Sequence, residues 1–485
     1  MLKSILQALK KIFFGIIIII ATIIIVRAFD ALKMPDLDRW HTERLESEFQ
    51  ADKAGADTTF EDYLRIESRL FKEVSRKVVE RISETDKYRL NRYFPSGLNN
   101  SLSFEHNWNR SYERIPPIIE GGALLLHGLT DSPYSLRKVA SILKRENFYV
   151  LGLRLPGHGT IPAGIASASW QDWMAAVKIG VRHVVKQTGG EKPFIMVGYS
   201  NGGALSLKYT LDAIENTRLT MPDRLILFSP AVGVTPFGFF ANWHKALSFI
   251  PFFEKFKWED ILPEYDPYKY NSFPKHAGLQ TYQLTKVVQA QIENLKKKGL
   301  LSRFPPTLSF QSLVDATVST RATVDRLYNK LEQPHHELVL FDINRLAEMK
   351  LFLKTDHDKL LDDLNQRTDL PYRLTVITNE NENSLAVAEK TKAPGSGSIS
   401  SAPIGLRWPQ GVYSLSHVAI PYPIDDPLYG QHDSNADSHG MNLGAFEPHG
   451  ERGVLSVSMD QLMRLRHNPF FPYIEQRIVN TVKSN

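Results

Sequence analysis

Between an apolar run at 193–197 and a helix-patterned run at 203–209 stands Gly198-Tyr199-Ser200-Asn201-Gly202. Glycines two places either side of a serine let the backbone pass in a tight, strained turn from a strand into a helix. Such a turn pushes the serine hydroxyl out of the sheet. It requires a buried strand before it and a close-packed helix after it, and both runs fit. A five-residue pattern also arises by chance, so its neighbours carry the decision.

Those neighbours repeat one theme. Runs at 121–126, 148–154 and 224–229 are strand candidates, and a helical pattern begins at Trp170 and Trp173 and continues through Val185. Strands alternating with helices predict a parallel sheet covered on both faces. The first strand ends in His127-Gly128-Leu129-Thr130-Asp131, where a glycine after a buried strand lets the loop turn back and present N–H groups. Asn201 falls at the N-terminus of the helix after the turn, so its N–H, with the helix dipole, points to where an oxyanion would form. The N–H of Leu129 is the natural second donor. His127 precedes the serine and is read as a residue that organises this loop.

With His127-Gly128, Leu155-Pro156-Gly157-His158-Gly159 and the Ser200 turn in place, the sequence resembles the α/β-hydrolase superfamily. The resemblance is to the branch of carboxylesterases and monoacylglycerol-lipase-like enzymes related to the serine aminopeptidases of group S33. It covers 118–235 and resumes at 305–345 and 410–430. It implies an α/β fold with a mostly parallel central sheet, helices on both faces and an inserted helical cap. It also implies a catalytic triad in the chain order Ser, acid, His. The motifs guide fold and nucleophile well and substrate poorly, because this fold hosts many chemistries.

The acid expected on that order is Asp315, which closes a strand candidate at 306–314 and lacks the usual glycine before it. Its task would be to hold the imidazole in one tautomer. No histidine follows the last core strand candidate, 337–341, where the family usually has one. A polar helical stretch to about Leu370, a possible extra strand at 374–377 and a Gly/Ser/Pro-rich irregular loop at 393–403 come first. A strand-like run at 411–421 then delivers His417, the expected general base. His335, His336 and His357 sit in polar turn or helix-end contexts, and His432, His439 and His449 in a Gly/Asn/Asp-rich tail. Asp425, Asp426, His432, Asp433 and Asp437 are metal-ligand types, but their spacing matches no calcium loop or zinc motif. Neither metal nor cofactor is expected.

The chain divides, on this reading, into an apolar N-terminal helix at 1–30, a mostly helical extension at 31–115, a catalytic unit at 116–235 and 305–485 with an insertion near 346–410, and a cap at 236–304. Phe237, Phe239, Trp243 and Phe252 make the first part of the cap apolar and are the expected substrate contacts. The mixed segment 264–270 is placed at the mouth, and 280–298 reads as an amphipathic helix. Lys10 and Lys11 precede an uncharged, isoleucine-rich run at 12–26 with no small-residue cleavage site behind it. An uncleaved signal anchor follows, with its basic end inside and the catalytic unit outside a bacterial inner membrane. The chain has no cysteine, which excludes disulfides, thiolate metal sites and cysteine nucleophiles. A formal charge of +5 spread over 485 residues, with no nucleic-acid motif, argues against nucleic-acid binding. The expected activity is cleavage of carboxylic esters with apolar or lipid-like acyl groups through an acyl-enzyme. A peptidase acting on short peptides and a catalytically silent scaffold remain the alternatives.

Overall fold

A computed structural model describes residues 2–55, 57–83, 91–101, 104, 106–233, 251–346, 358–410, 412–431, 442–444 and 465–483. Phe237, Phe239, Trp243, His357, Gly411, His432, Asp433, Asp437, His439 and His449 lie outside the described residues, as does the side chain of Phe252.

Charge-free apolar runs build the centre of the fold. The first strands are β1 (Tyr112–Arg114), β2 (Gly121–Leu126), β3 (Phe148–Leu153), β4 (Phe194–Tyr199) and β5 (Arg224–Phe228). A small pair, β6 (Trp258–Asp260) and β7 (Phe273–Pro274), stands apart. Then follow β8 (Thr307–Ser312), β9 (Glu337–Phe341), β10 (Arg373–Asn379), β11 (Ala386–Lys392) and β12 (Ile399–Arg407). Ten of them form one sheet in the order β1-β3-β2-β4-β5-β8-β9-β10-β11-β12. The seven from β3 to β10 in that order pair in parallel, and β1, β11 and β12 join antiparallel.

Side-chain alternation separates two cores. Leu124, Leu126, Leu151, Leu153 and Met196 face one layer, and Ala123, Leu125, Val150, Ile195 and Val197 face the other. The helices are α1 (Leu2–Lys33), α2 (Arg39–Thr42), α3 (Phe60–Lys77), α4 (Arg137–Arg145), α5 (Pro162–Ile165), α6 (Trp170–Gln187), α7 (Asn201–Glu215), α8 (Lys275–Lys297), α9 (Thr320–Thr323), α10 (Asp358–Gln366) and α11 (Phe471–Lys483). Residues of α6, α7 and α8 fill the first core, and residues of α4 and α11 the second. This is the α/β-hydrolase arrangement.

Three expectations are corrected. The segment 393–403, read as an irregular loop from its Gly, Ser and Pro content, runs into β12, because an antiparallel edge strand tolerates proline and exposure. The helix assigned to the second half of the cap lies in the main helical layer. Leu284, Val288, Ile292 and Leu295 of α8 join the core beneath α7. The segment 264–270, placed at the mouth, is buried rather than open at Glu264, Asp266, Tyr268 and Tyr270, while Tyr265, Asp266, Lys269 and Tyr270 line a cavity.

Among the described residues α1 is the one helix long and apolar enough to cross a membrane, and its apolar side chains stand exposed. Its last turns touch the body, where Ala31 packs with Phe253 and Phe256. After it, α3 lays Tyr63, Glu67, Leu70 and Val74 inward, four positions at helical spacing. Thr59 and Asp62 close its N-terminus as a capping box.

Candidate active site

The turn after β4 has the geometry that the pentapeptide predicts. Ser200 takes φ 52° and ψ −113°, a strained conformation for a residue with a Cβ. It is held there because its N–H bonds the carbonyl of Phe228 and its carbonyl receives the N–H of Ala231, both at 2.9 Å. The two glycines are required by space. A Cβ on Gly198 would stand 2.6 Å from the Gly202 carbonyl oxygen, and one on Gly202 would stand 2.0 Å from that of Leu126. Asn201 opens α7 directly after Ser200.

The run around His417 is not a strand. Its backbone crosses the ends of β8 and β9, where side chains and loop amides take its carbonyls in place of a ladder. Ser312 Oγ donates to Leu415 O at 2.8 Å, Asn344 Nδ2 to Val412 O at 2.9 Å, and Asn344 N to Tyr413 O at 2.7 Å. A single 3₁₀ turn, His417–Ala419, then sets the imidazole. His417 Nδ1 lies 2.7 Å from Asp315 Oδ2, with both side chains buried. The other oxygen of Asp315 accepts the amides of Thr317 at 2.9 Å and Val318 at 2.8 Å. Burial by itself would raise the Asp315 pKa. The facing imidazole and the two amides outweigh it and hold the carboxyl below its ordinary value. Because Nδ1 faces a carboxylate, it carries the proton, and Nε2 is left as the basic nitrogen.

Tyr199 was missed by sequence reasoning, although it adjoins Ser200. Its ring stacks on the His417 ring with centroids 5.4 Å apart, and its hydroxyl reaches His417 O at 3.4 Å. The elbow strand and the histidine loop are thereby tied together. A β-strand aromatic carries no local sign of such a contact.

The loop expected to carry an oxyanion donor follows β2. No backbone carbonyl accepts the N–H of Leu129 or of Asn201 among the described residues. His127 is buried and organises this loop, as its sequence position suggested: Leu155 N donates to its Nε2 at 3.0 Å, and its Nδ1 lies 2.9 Å from Gly128 O. Burial drives its pKa well below the ordinary value, so the ring is neutral. A Cβ on Gly128 would meet Asp131 Oδ2 at 2.5 Å and displace that carboxylate. Asp131 Oδ1 pairs with Lys269 Nζ at 3.1 Å, and burial raises its pKa despite that partner.

Thr130 and Val418, each next to a candidate site residue, line a cavity of about 190 Å³ with Tyr270, Tyr422, Lys269 and Arg466. Its charges are matched internally. Lys269 faces Asp131, and Arg466 Nη1 lies 4.0 Å from Asp266. Asp425 and Asp426 are ion-paired with Lys138 and Arg137, and no cluster of three metal-ligating side chains occurs among the described residues.

A mostly parallel sheet with helices on both faces, and a serine on a strained strand-to-helix turn at its carboxyl end, define an α/β-hydrolase. The family described as "Serine aminopeptidase, S33" matches residues 119–344. A thermostable monoacylglycerol lipase of Bacillus sp. (strain H-257) is 33% identical over 86 residues, 18% of this chain and 33% of that protein. The matched stretch thus spans about a third of that relative's length. Among solved structures, one reported for the metagenome-derived lipolytic enzymes LipS and LipT has 22% identity and a TM-score of 0.37, covering 54% of this chain and 98% of its own. A monoacylglycerol lipase of Paleococcus ferrophilus has 17% identity and a TM-score of 0.36, covering 52% and 97%. The fold is thus that of the α/β-hydrolases, and within it residues 119–344 are similar to the S33 family.

Proposed function

We propose that this chain is a serine hydrolase that cleaves carboxylic esters through an acyl-enzyme, with Ser200 as nucleophile, His417 as general base and Asp315 as its orienting acid. The observation that carries the reading is the buried Asp315–His417 pair, held beside the Ser200 elbow by the Tyr199 ring. Ser200 Oγ attacks the ester carbonyl as His417 Nε2 takes its proton. The N–H groups of Leu129 and Asn201 receive the developing oxyanion. His417 then protonates the departing alcohol, and water admitted to the site is activated by the same nitrogen to release the acid.

The cavity beside Thr130 and Val418 suits the alcohol side of the ester. Its tyrosines and internally paired charges offer hydrogen bonds to a neutral polar group and little to an alkyl chain. For the acyl part, the phenylalanine-rich stretch 236–252 supplies the apolar side chains by its sequence. Helix α1 serves in this reading as a signal anchor that keeps the catalytic unit at the outer face of the cytoplasmic membrane.

A fluorophosphonate probe followed by peptide mapping tests the chemistry, alongside turnover of p-nitrophenyl esters of graded chain length. Wild type is expected to label at Ser200, and Ser200→Ala and His417→Ala to lose turnover. Folded protein that neither labels nor turns over any ester supports the silent scaffold instead, and turnover of short peptides above esters supports the peptidase. Protease shaving of spheroplasts tests the topology: the catalytic unit is expected to be digested from outside.

A further inference from the structure

Arg154 follows β3 and is completely buried. Its partners come from far upstream, in the stretch that joins α1 to the hydrolase unit. Glu48 takes Nη2 and Nη1 in a fork at 2.9 and 3.1 Å, and Glu67 of α3 takes Nε at 3.2 Å. Glu48 Oε2 also accepts the N–H of Gly157 at 2.8 Å, and Arg154 Nη1 donates to His158 O at 3.0 Å. The loop so gripped contains two left-handed glycines, Gly157 at φ +82° and Gly159 at φ +71°, and has little regular structure of its own to hold it.

The grip continues to the reacting centre. The fixed loop offers the Leu155 N–H to His127 Nε2. A ring nitrogen that accepts carries no proton, so the hydrogen sits on Nδ1 and is donated to Gly128 O. The Gly128 carbonyl and the Leu129 N–H belong to one planar trans peptide unit, so holding the first fixes the direction of the second. We propose that Glu48, with Glu67, is a positioning residue for the oxyanion hole: the segment behind the apolar helix aims the Leu129 N–H through Arg154, Leu155 and His127. The hydrolase unit is incomplete without its upstream segment.

This inference rests on the ester-hydrolase reading, and the experiment separates the two. Full-length wild type, Glu48→Gln and Glu67→Gln are compared on p-nitrophenyl butyrate. A trifluoromethyl ketone, whose adduct places an oxyanion in the hole, is titrated against each. Loss of a whole oxyanion donor costs about 10²–10³ in kcat, so a misaimed one is expected to cost Glu48→Gln about tenfold or more. KM and the shape of the pH profile should hold while ketone affinity falls in step with kcat. Ile478→Ala, a core truncation in α11, serves as the control for lowered stability and should keep kcat. Amide exchange at 128–130, 155, 157 and 158, read without substrate, should quicken in Glu48→Gln and Glu67→Gln but not in Ile478→Ala. The proposal is overturned if folded Glu48→Gln keeps kcat, ketone affinity and exchange rates near wild type. It is also overturned if Ile478→Ala loses kcat equally at equal thermal stability. An inactive, unlabelled wild type defeats the ester reading instead, and the exchange comparison still decides the linkage.

Discussion

Asp315 and His417, 102 residues apart in the chain, meet through a 2.7 Å contact between Oδ2 and Nδ1. The carboxylate is already saturated on its other oxygen by two amides, so its geometry does not depend on the histidine alone. Asparagine keeps that shape but offers an amide where the imidazole needs an acceptor. Asp315→Asn is therefore expected to lose about 10³- to 10⁴-fold in kcat while remaining folded, as measured by ester turnover and circular dichroism.

Gly202→Ala tests the elbow itself. The added Cβ would stand 2.0 Å from the Leu126 carbonyl oxygen, a backbone atom that cannot move without shifting β2. A destabilisation of about 1–3 kcal/mol is expected from the overpacking. It should appear as a lower urea midpoint, together with slower Ser200 labelling.

Arg154→Ala would leave two carboxylates, Glu48 and Glu67, facing a buried space without their cation. Breaking a buried ion pair in this way costs about 3–5 kcal/mol, to be read by urea unfolding at neutral pH. Burial raises the Glu67 pKa, so mild acid should neutralise that carboxyl and reduce the loss.

Glu73 provides the pH test. It accepts the amides of Glu46 and Ser47 at 2.9 and 2.8 Å and pairs with Lys77 at 2.8 Å. Burial alone would raise its pKa, but these partners bring it from 4.5 down to about 2. A carboxyl with a depressed folded pKa stabilises fully above its unfolded value and loses that contribution as pH falls through the folded one. The Tm gap between wild type and Glu73→Gln should therefore be largest above pH 4.5 and close toward pH 2.

The parts of this protein written in consecutive residues were legible in advance. Ser200 between its glycines, the His127-Gly128 loop and the buried strands follow from backbone sterics and apolar runs, which act within a few residues. Asp315 was chosen by chain order and His417 by its expected strand-end setting; their side chains do meet, but the histidine run is not a strand. Its carbonyls are taken by Ser312 and Asn344, partners that no nearby residue announces. The segment 393–403 misled for the same reason, since its pairing with β11 decides its conformation against its composition.

By itself, then, the sequence determined the turn and its strands and helix, because torsional limits and hydrophobic runs are local properties. The tertiary structure alone decided which atoms meet. It stacked Tyr199 on His417, seated α8 in the core and brought Glu48 and Glu67 onto Arg154. A buried charge or an open N–H must find its partner wherever the chain returns to that point in space, and sequence distance does not record that return.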